Sequence, residues 1–333
     1  MKAEVNRPCI VCGGLDSRLL HALRYPDLGY PGSFAMRCCL GCGLLFNSPR
    51  LVDAEIAALY DGSYYVFQER EADAVARVAQ LLSRTLGVAS QYVQPHAVLE
   101  VGCAKGYLLA LLQARGLQVQ GIELSADAAA FARARFGLDV FTGTVQAWLR
   151  SPGFRPWPLV LNTDVVEHVT DPPQFLAALH QAVQPGGWLV LATPNADSDH
   201  RRALGERWLG FNPFHIWLFT RATLGCLLEQ AGFQVVEACT YTNDDPPQRG
   251  PADGLRDAAR TVLRASRLLG PMRRARDRLV SAEALPVTAQ RLQASAAQPL
   301  DAYLDTPDAR SARRSSCRGD NLVVIARRRS RGP

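Results

Sequence analysis

From residue 95 onward, short apolar runs that close on a charged or small polar residue alternate with stretches whose apolar residues recur at helical spacing. The first run, Val98-Leu-Glu-Val101, leads into a turn holding Gly102 and Gly106, then into a helical pattern from Leu108 to Leu112. Val119-Gln-Gly-Ile-Glu123 and Pro158-Leu-Val-Leu-Asn-Thr-Asp164 are further runs of this kind. Phe175 to Val183 is again apolar at helical spacing. Gln184-Pro-Gly-Gly-Trp188 then predicts a helix stop and a turn into a strand ending near Asn195. Phe219 to Phe233 predicts a capped helix, with Thr220 as N-cap and Gly232 just past the last turn. Strands are expected over 234–241 and 321–326. Strands alternating with helices predict an α/β protein built on a mostly parallel sheet.

The first unit carries chemistry. A small-residue loop at the carboxyl end of a strand makes a crevice for a nucleotide-like ligand, and Glu123, 23 residues after Glu100, is placed to meet ribose hydroxyls. The loop reads Glu100-x-Gly102-x-x-x-Gly106 rather than G-x-G-x-x-G. A carboxylate there repels a pyrophosphate and attracts a cationic or hydroxyl-bearing ligand.

These residues resemble motif I of the class I S-adenosylmethionine (SAM)-dependent methyltransferases. Asp164-Val-Val-Glu-His-Val-Thr-Asp-Pro172 is similar to the segment after that family's fourth strand, and Gln184-Pro-Gly-Gly-Trp-Leu to the turn before its fifth. The resemblance covers about 95–242 and the late strand. It implies a Rossmann-like seven-stranded sheet and a SAM site lined by Glu100, Gly102, Cys103, Gly106, Glu123, Leu124 and Asp164. Ala104 stands where the family has a third glycine, which suits a backbone with negative φ. Thr142-Gly-Thr-Val-Gln146 lacks the acid that often meets the adenine, and Pro158 replaces the acid that often opens strand four.

The amino-terminal region has a different signature. Cys9-Ile-Val-Cys12 and Cys39-Leu-Gly-Cys42 form two knuckles, each closed by a glycine. Four thiolates at this spacing suit a structural, tetrahedral Zn²⁺; Cys38 is the alternative to Cys39. Two disulfides are the competing reading. The start Met-Lys-Ala-Glu has no apolar leader, and Cys103, Cys226, Cys239 and Cys317 lack framework spacing, so a cytoplasmic metal site is preferred. About fifty residues bury little core, so the metal supplies their folding energy.

The 333 residues are 48% hydrophobic, enough for a sizeable core, and no apolar run is long enough to span a membrane. The expected organisation is a zinc ribbon over 1–50, a helical cap over 51–94, a methyltransferase core over 95–242 and 320–329, and an Arg-rich helical insertion over 243–319. Residues 251–319 hold 13 Arg against 7 acids, and the rest of the chain is near neutral. Residues 254–269 form a basic amphipathic pattern that can lie on an anionic membrane or nucleic acid. A lid helix with a solvated arginine face is the preferred reading.

Methyl transfer needs an aligned nucleophile, a dry site and a proton acceptor. Two of the six histidines have a suggestive place: His168 after the fourth strand, and His215 in the aromatic segment Trp208-Leu-Gly-Phe-Asn-Pro-Phe-His-Ile-Trp217. Ribbon, Tyr-rich cap turn (Tyr64 and Tyr65) and the two histidines together look like bacterial sugar C-methyltransferases, which act on nucleotide-linked keto sugars. That resemblance implies catalytic roles for His168, His215 and Tyr65 or Tyr64, with a histidine as general base. Phe214 replaces the acid normally before the second histidine, and the large carboxy-terminal domain of that group has no counterpart, so O-methylation of a sugar or small intermediate stands beside C-methylation. Two other classes remain. A zinc-ribbon RNA methyltransferase needs a basic ribbon, yet residues 1–50 carry six Lys or Arg against three acids, so nucleic acid is not the expected partner. A non-catalytic SAM-fold binding protein is the other. The oligomeric state is left open.

Overall fold

The computed structural model of the chain describes residues 3–4, 8–25, 32–52, 55–56, 78, 85–242 and 318–329. Most of the expected cap, with Tyr64 and Tyr65, and the insertion from 243 to 317 lie outside the described residues. No helix among the described residues is long and apolar enough to cross a membrane.

The amino-terminal strands are β1 (Ala3–Glu4), β2 (Ser17–Tyr25), β3 (Gly32–Cys39), β4 (Leu45–Asn47) and β5 (Arg50–Leu51). Then come β6 (Ala97–Val101), α1 (Tyr107–Ala114), β7 (Gln118–Glu123), α2 (Ala126–Phe136), β8 (Val140–Thr142), α3 (Val145–Leu149) and β9 (Trp157–Thr163). The chain continues through α4 (Pro172–Ala182), β10 (Val183–Pro194), α5 (Asp199–Leu204), β11 (Trp217–Leu218), α6 (Arg221–Gln230), β12 (Phe233–Tyr241) and β13 (Asn321–Arg328).

Seven strands make one sheet in the order β12-β13-β10-β9-β6-β7-β8. Every pair is parallel except those of β13, which runs antiparallel to β10 and β12. This is the α/β sheet expected from the alternation. Strand order reverses at β6, which lies between β7 and β9, so the crevice opens above the carboxyl ends of β6 and β9.

Side-chain alternation splits the core into two layers. Leu99, Val101, Val160, Leu189 and Leu191 join Phe175, Leu176 and Leu179 of α4 on one face. Val98, Leu159, Leu161 and Val190 join Leu108, Leu111 and Leu112 of α1 on the other. With both faces covered, these strands read as nearly unbroken apolar runs.

Caps fix the helix ends. Asp171 accepts from Gln174 N at 3.0 Å with Pro172 opening α4. Arg328 of β13 closes that helix by donating from Nη1 to the carbonyls of His180 at 2.8 Å and Val183 at 2.6 Å. Thr220 and Thr223 form a reciprocal capping box on α6, and Gly232 follows it with φ 93°. The turn expected at Gln184–Trp188 lies inside β10 as an irregularity, since the register against β9 shifts between Val183 and Trp188.

The amino-terminal sheet is not confined to the first fifty residues. Its order is β11-β4-β3-β2, so its edge strand comes from the segment after His215. Cys9, Val11, Cys39 and Leu44 share one buried cluster with Trp217, Phe219 and Leu227, and Gln230 Nε2 donates to the Val11 carbonyl at 3.1 Å.

Candidate active site

The β6–α1 loop is cut to fit its neighbours. Gly102 has φ 84°, and a Cβ there would stand 2.3 Å from Val165 Cγ2. Gly106 has φ 75°, and a Cβ would meet Leu138 Cδ1 at 2.6 Å and Ala132 Cβ at 2.9 Å. Ala104 departs from expectation: its φ is 48°, left-handed rather than negative. That conformation costs a side-chain-bearing residue about 1–2 kcal/mol. Glu123 holds it there, because Oε2 accepts from Ala104 N at 2.8 Å while Oε1 accepts from Ser125 N at 2.7 Å.

Glu123 thus braces the loop with both oxygens and keeps spare lone pairs toward the crevice. Burial raises its pKa, against the amides of Ser125, Ala104 and Leu124, which pull it down. Glu100 is 3% exposed, and its Oε2 has no hydrogen-bond partner. Burial, then the Glu123 charge, raise its pKa to about 8. Cys103 points the other way, toward Gly121, whose absent Cβ would meet its Sγ at 2.6 Å. Burial, then the charges of Glu100 and Glu123, push its thiol well up, so it is a packing residue and not a nucleophile.

A cavity of about 970 Å³ occupies the crevice. Glu100, Gly102, Cys103, Glu123, Leu124 and Asp164, all expected at the cofactor, line it. Gly106 lies below it as a packing position. Asp164, with φ 54°, turns the chain out of β9, its amide donating to the Ala192 carbonyl at 2.9 Å. Gly143, Thr144, Val145 and Gln146 line the wall where the family often has an acid. The size suits a cofactor and a small acceptor together. An orphaned buried carboxylate oxygen, a glycine-built approach and an acid at the end of β7 fit SAM.

His168 also lines this cavity. Its Nδ1 lies 2.9 Å from the Phe214 carbonyl, which can only accept, so Nδ1 carries the proton and Nε2 the lone pair. His215 packs on it with ring centroids 4.9 Å apart at 61°. Its Nδ1 lies 2.9 Å from the Gly210 carbonyl and 3.0 Å from Asn212 Nδ2. Burial lowers the His168 pKa, partly offset by the Phe214 carbonyl and the Asp164 charge. Burial, then His168, lower that of His215 to about 3. Both rings are neutral near pH 7. Phe214 fixes the His168 ring through its backbone carbonyl.

Three residues of this site carry no motif that assigns them a role. Glu167 is fully buried, and its Oε2 accepts from the Thr193 hydroxyl at 2.9 Å. Asn212 accepts from the amides of Phe214 and His215 through Oδ1 at 3.0 and 2.9 Å. Asn47 Nδ2 reaches the carbonyls of Asn212, Pro213 and His215 at 3.3, 3.3 and 3.1 Å. Tyr65 lies outside the described residues.

The four knuckle thiols cluster within 4.8 Å of one another, with Cys9–Cys42 and Cys12–Cys39 sulfurs each 3.5 Å apart. A tetrahedral zinc with bonds near 2.3 Å needs sulfurs about 3.8 Å apart, so the cluster is consistent with a structural zinc. Gly13 and Gly43, with φ 71° and 77°, close equivalent turns in which their amides donate to Cys9 and Cys39 carbonyls. Burial pushes the Cys39 thiol up, but the amides of Cys42 and Gly41 and the thiols of Cys12 and Cys9 outweigh it, leaving about 7. Cys38 stays outside the cluster and points to the Cys39 carbonyl.

A family model described as a methyltransferase domain matches residues 67–238. A protein named a probable S-adenosylmethionine-dependent methyltransferase, from Mycolicibacterium smegmatis, is 34% identical over 139 residues, covering 41% of this chain and 52% of that one. A ubiquinone biosynthesis O-methyltransferase from Ruegeria pomeroyi is 31% identical over 151 residues, covering 42% and 60%. The chain thus spans about half the length of the curated relatives it matches. Among solved structures, a SAM-dependent methyltransferase from Archaeoglobus fulgidus matches with TM-score 0.46 and 15% identity over 79% of this chain and 96% of that one.

Proposed function

The chain belongs to the methyltransferase-domain family, and from that premise we propose that it is a SAM-dependent methyltransferase acting in the cytoplasm on a sugar or other small biosynthetic intermediate. SAM supplies an activated methyl group on a sulfonium. Glu123 receives the ribose hydroxyls, Glu100 and Gly102 accommodate the methionine end, and Gly106 packs the loop that carries them. His168 presents an unprotonated Nε2 to the cavity and takes the acceptor's proton, backed by His215, with Tyr65 of the cap completing the group. Cys9, Cys12, Cys39 and Cys42 hold a structural zinc.

The observation that carries this reading is the single cavity that joins the Glu100–Glu123 crevice to His168. The O-methyltransferase names among the relatives favour a hydroxyl acceptor over a carbon acid. The test is calorimetric titration with SAM followed by a turnover screen of nucleotide sugars, phenolic diols and transfer RNA. Turnover on a small molecule supports the reading. Turnover on RNA alone overturns the acceptor class, and SAM binding without any turnover favours a binding protein.

A further inference from the structure

At the cavity wall three side chains that can ligate a metal converge. One ring nitrogen from each of His168 and His215 and one oxygen of Glu167 lie within 4.8 Å of one another. Each imidazole is anchored from behind, Nδ1 toward the Phe214 carbonyl and the Gly210 carbonyl, both at 2.9 Å. Metal-ligating histidines are characteristically held this way, with the other nitrogen left to the ion. Glu167 shows no exposed surface. Its Oε1 has no hydrogen-bond partner and stands 3.9 Å from His168 Nε2. A buried, unsatisfied carboxyl oxygen beside two imidazole rings is a costly arrangement in isolation and a favourable one around a cation.

We propose that Glu167, His168 and His215 form a second metal site, for a divalent ion of the zinc class. Two imidazoles and a carboxylate suit such an ion, and three protein ligands leave a position open. Bonds of about 2.0–2.2 Å require the three atoms to draw together by roughly an ångström, within reach of side-chain rotation. His168 lines the cavity, so an ion held by these three would lie at the cavity wall. The site rests on the methyl-transfer reading only for its use, and there it refines the base. An acceptor hydroxyl bound at the ion loses its proton more readily. The proton leaves to solvent, the oxygen–carbon bond forms as the carbon–sulfur bond of SAM breaks, and the neutral thioether departs. The acceptor class is then an alcohol or phenol, and the histidines act through the ion.

The test is metal analysis of the full chain loaded with zinc, and with cobalt for its visible spectrum, beside Glu167→Gln, His168→Ala and His215→Ala. The expected result is two ions per wild-type chain and one in each variant. Cobalt should give a thiolate charge-transfer band that all four proteins keep and a nitrogen–oxygen ligand-field spectrum that the variants lose. One ion per wild-type chain overturns the site, as does a second ion retained in all three variants. SAM calorimetry on the same samples separates the readings. SAM binding with a single ion removes the site and leaves an imidazole base, whereas two ions without SAM binding keep the site and remove methyl transfer.

Discussion

Asn47, on a strand of the cysteine-rich sheet, donates through its side-chain nitrogen to the backbone carbonyl of His215 at 3.1 Å, and its own amide donates to Ile216 at 2.9 Å. The residue is 4% exposed, so water cannot replace it easily. The amino-terminal sheet therefore shapes the loop that carries a candidate catalytic histidine. Asn47→Ala removes a buried donor shared by three carbonyls and should cost about 1–3 kcal/mol of stability. Turnover should fall while SAM affinity holds. Calorimetry and thermal melting check this, and an unchanged turnover rate would show that the loop holds its shape without Asn47.

Glu123→Ala should weaken SAM binding at least about tenfold, near 1.4 kcal/mol. Two effects combine, since the change removes the ribose acceptor and frees the left-handed Ala104 backbone. Glu123→Gln should recover only part of the affinity, because its amide has one accepting oxygen for two backbone donors. Calorimetric affinity equal to wild type in the alanine variant would refute the ribose role.

Gly102→Ala should abolish SAM binding or soluble expression, given φ 84° and a Cβ only 2.3 Å from Val165 Cγ2. Adding Val165→Ala relieves the contact but not the backbone strain, so recovery should be incomplete. Full recovery in the double variant would assign the whole penalty to the side-chain clash.

The ligand-free protein should lose stability as pH rises. Glu100 titrates near 8 when folded, against an ordinary value of 4.5. Its folded-state preference for the proton is fully felt below about 4.5 and is lost as pH climbs through about 8. Melting temperature should fall across that window for wild type and flatten for Glu100→Gln. Identical slopes for the two proteins would place the pH dependence elsewhere.

Cys39→Ser should release the knuckle metal and, through β4 and β11, disturb the His215 loop. Zinc content and turnover should therefore drop together, with the crevice at β6 spared. Normal turnover in a zinc-free variant would mean that the packing against Trp217 and Leu227 suffices.

The parts legible in the sequence are those written locally. The Glu100–Gly102–Gly106 run, the acid of Glu123, the caps at Thr220 and Gly232 and both cysteine knuckles depend on neighbours within a turn or a strand. The left-handed backbone of Ala104 is not legible locally, because Glu123, 19 positions away, enforces it. Asn47 carries no local mark, and Glu167 sits in a recognisable run whose neighbours do not reveal its contact with Thr193. Gly121 is set apart from other strand residues only by Cys103 and Leu109 packing against it. The edge strand β11 is too short to show a period of its own.

Tyr241 and Asn321 are register partners on adjacent antiparallel strands, and Gly319 N bonds Thr240 Oγ1 at 3.1 Å. The chain thus leaves the sheet and re-enters it at neighbouring points, as it would through a hairpin. The register of β12 on β13 is therefore set at a junction that a few turn residues could span, and asks nothing of the length of chain between Tyr241 and Asn321. A change in the number of residues at that junction thus leaves the pairing of the seven strands, and the strand ends that frame the crevice, as they are.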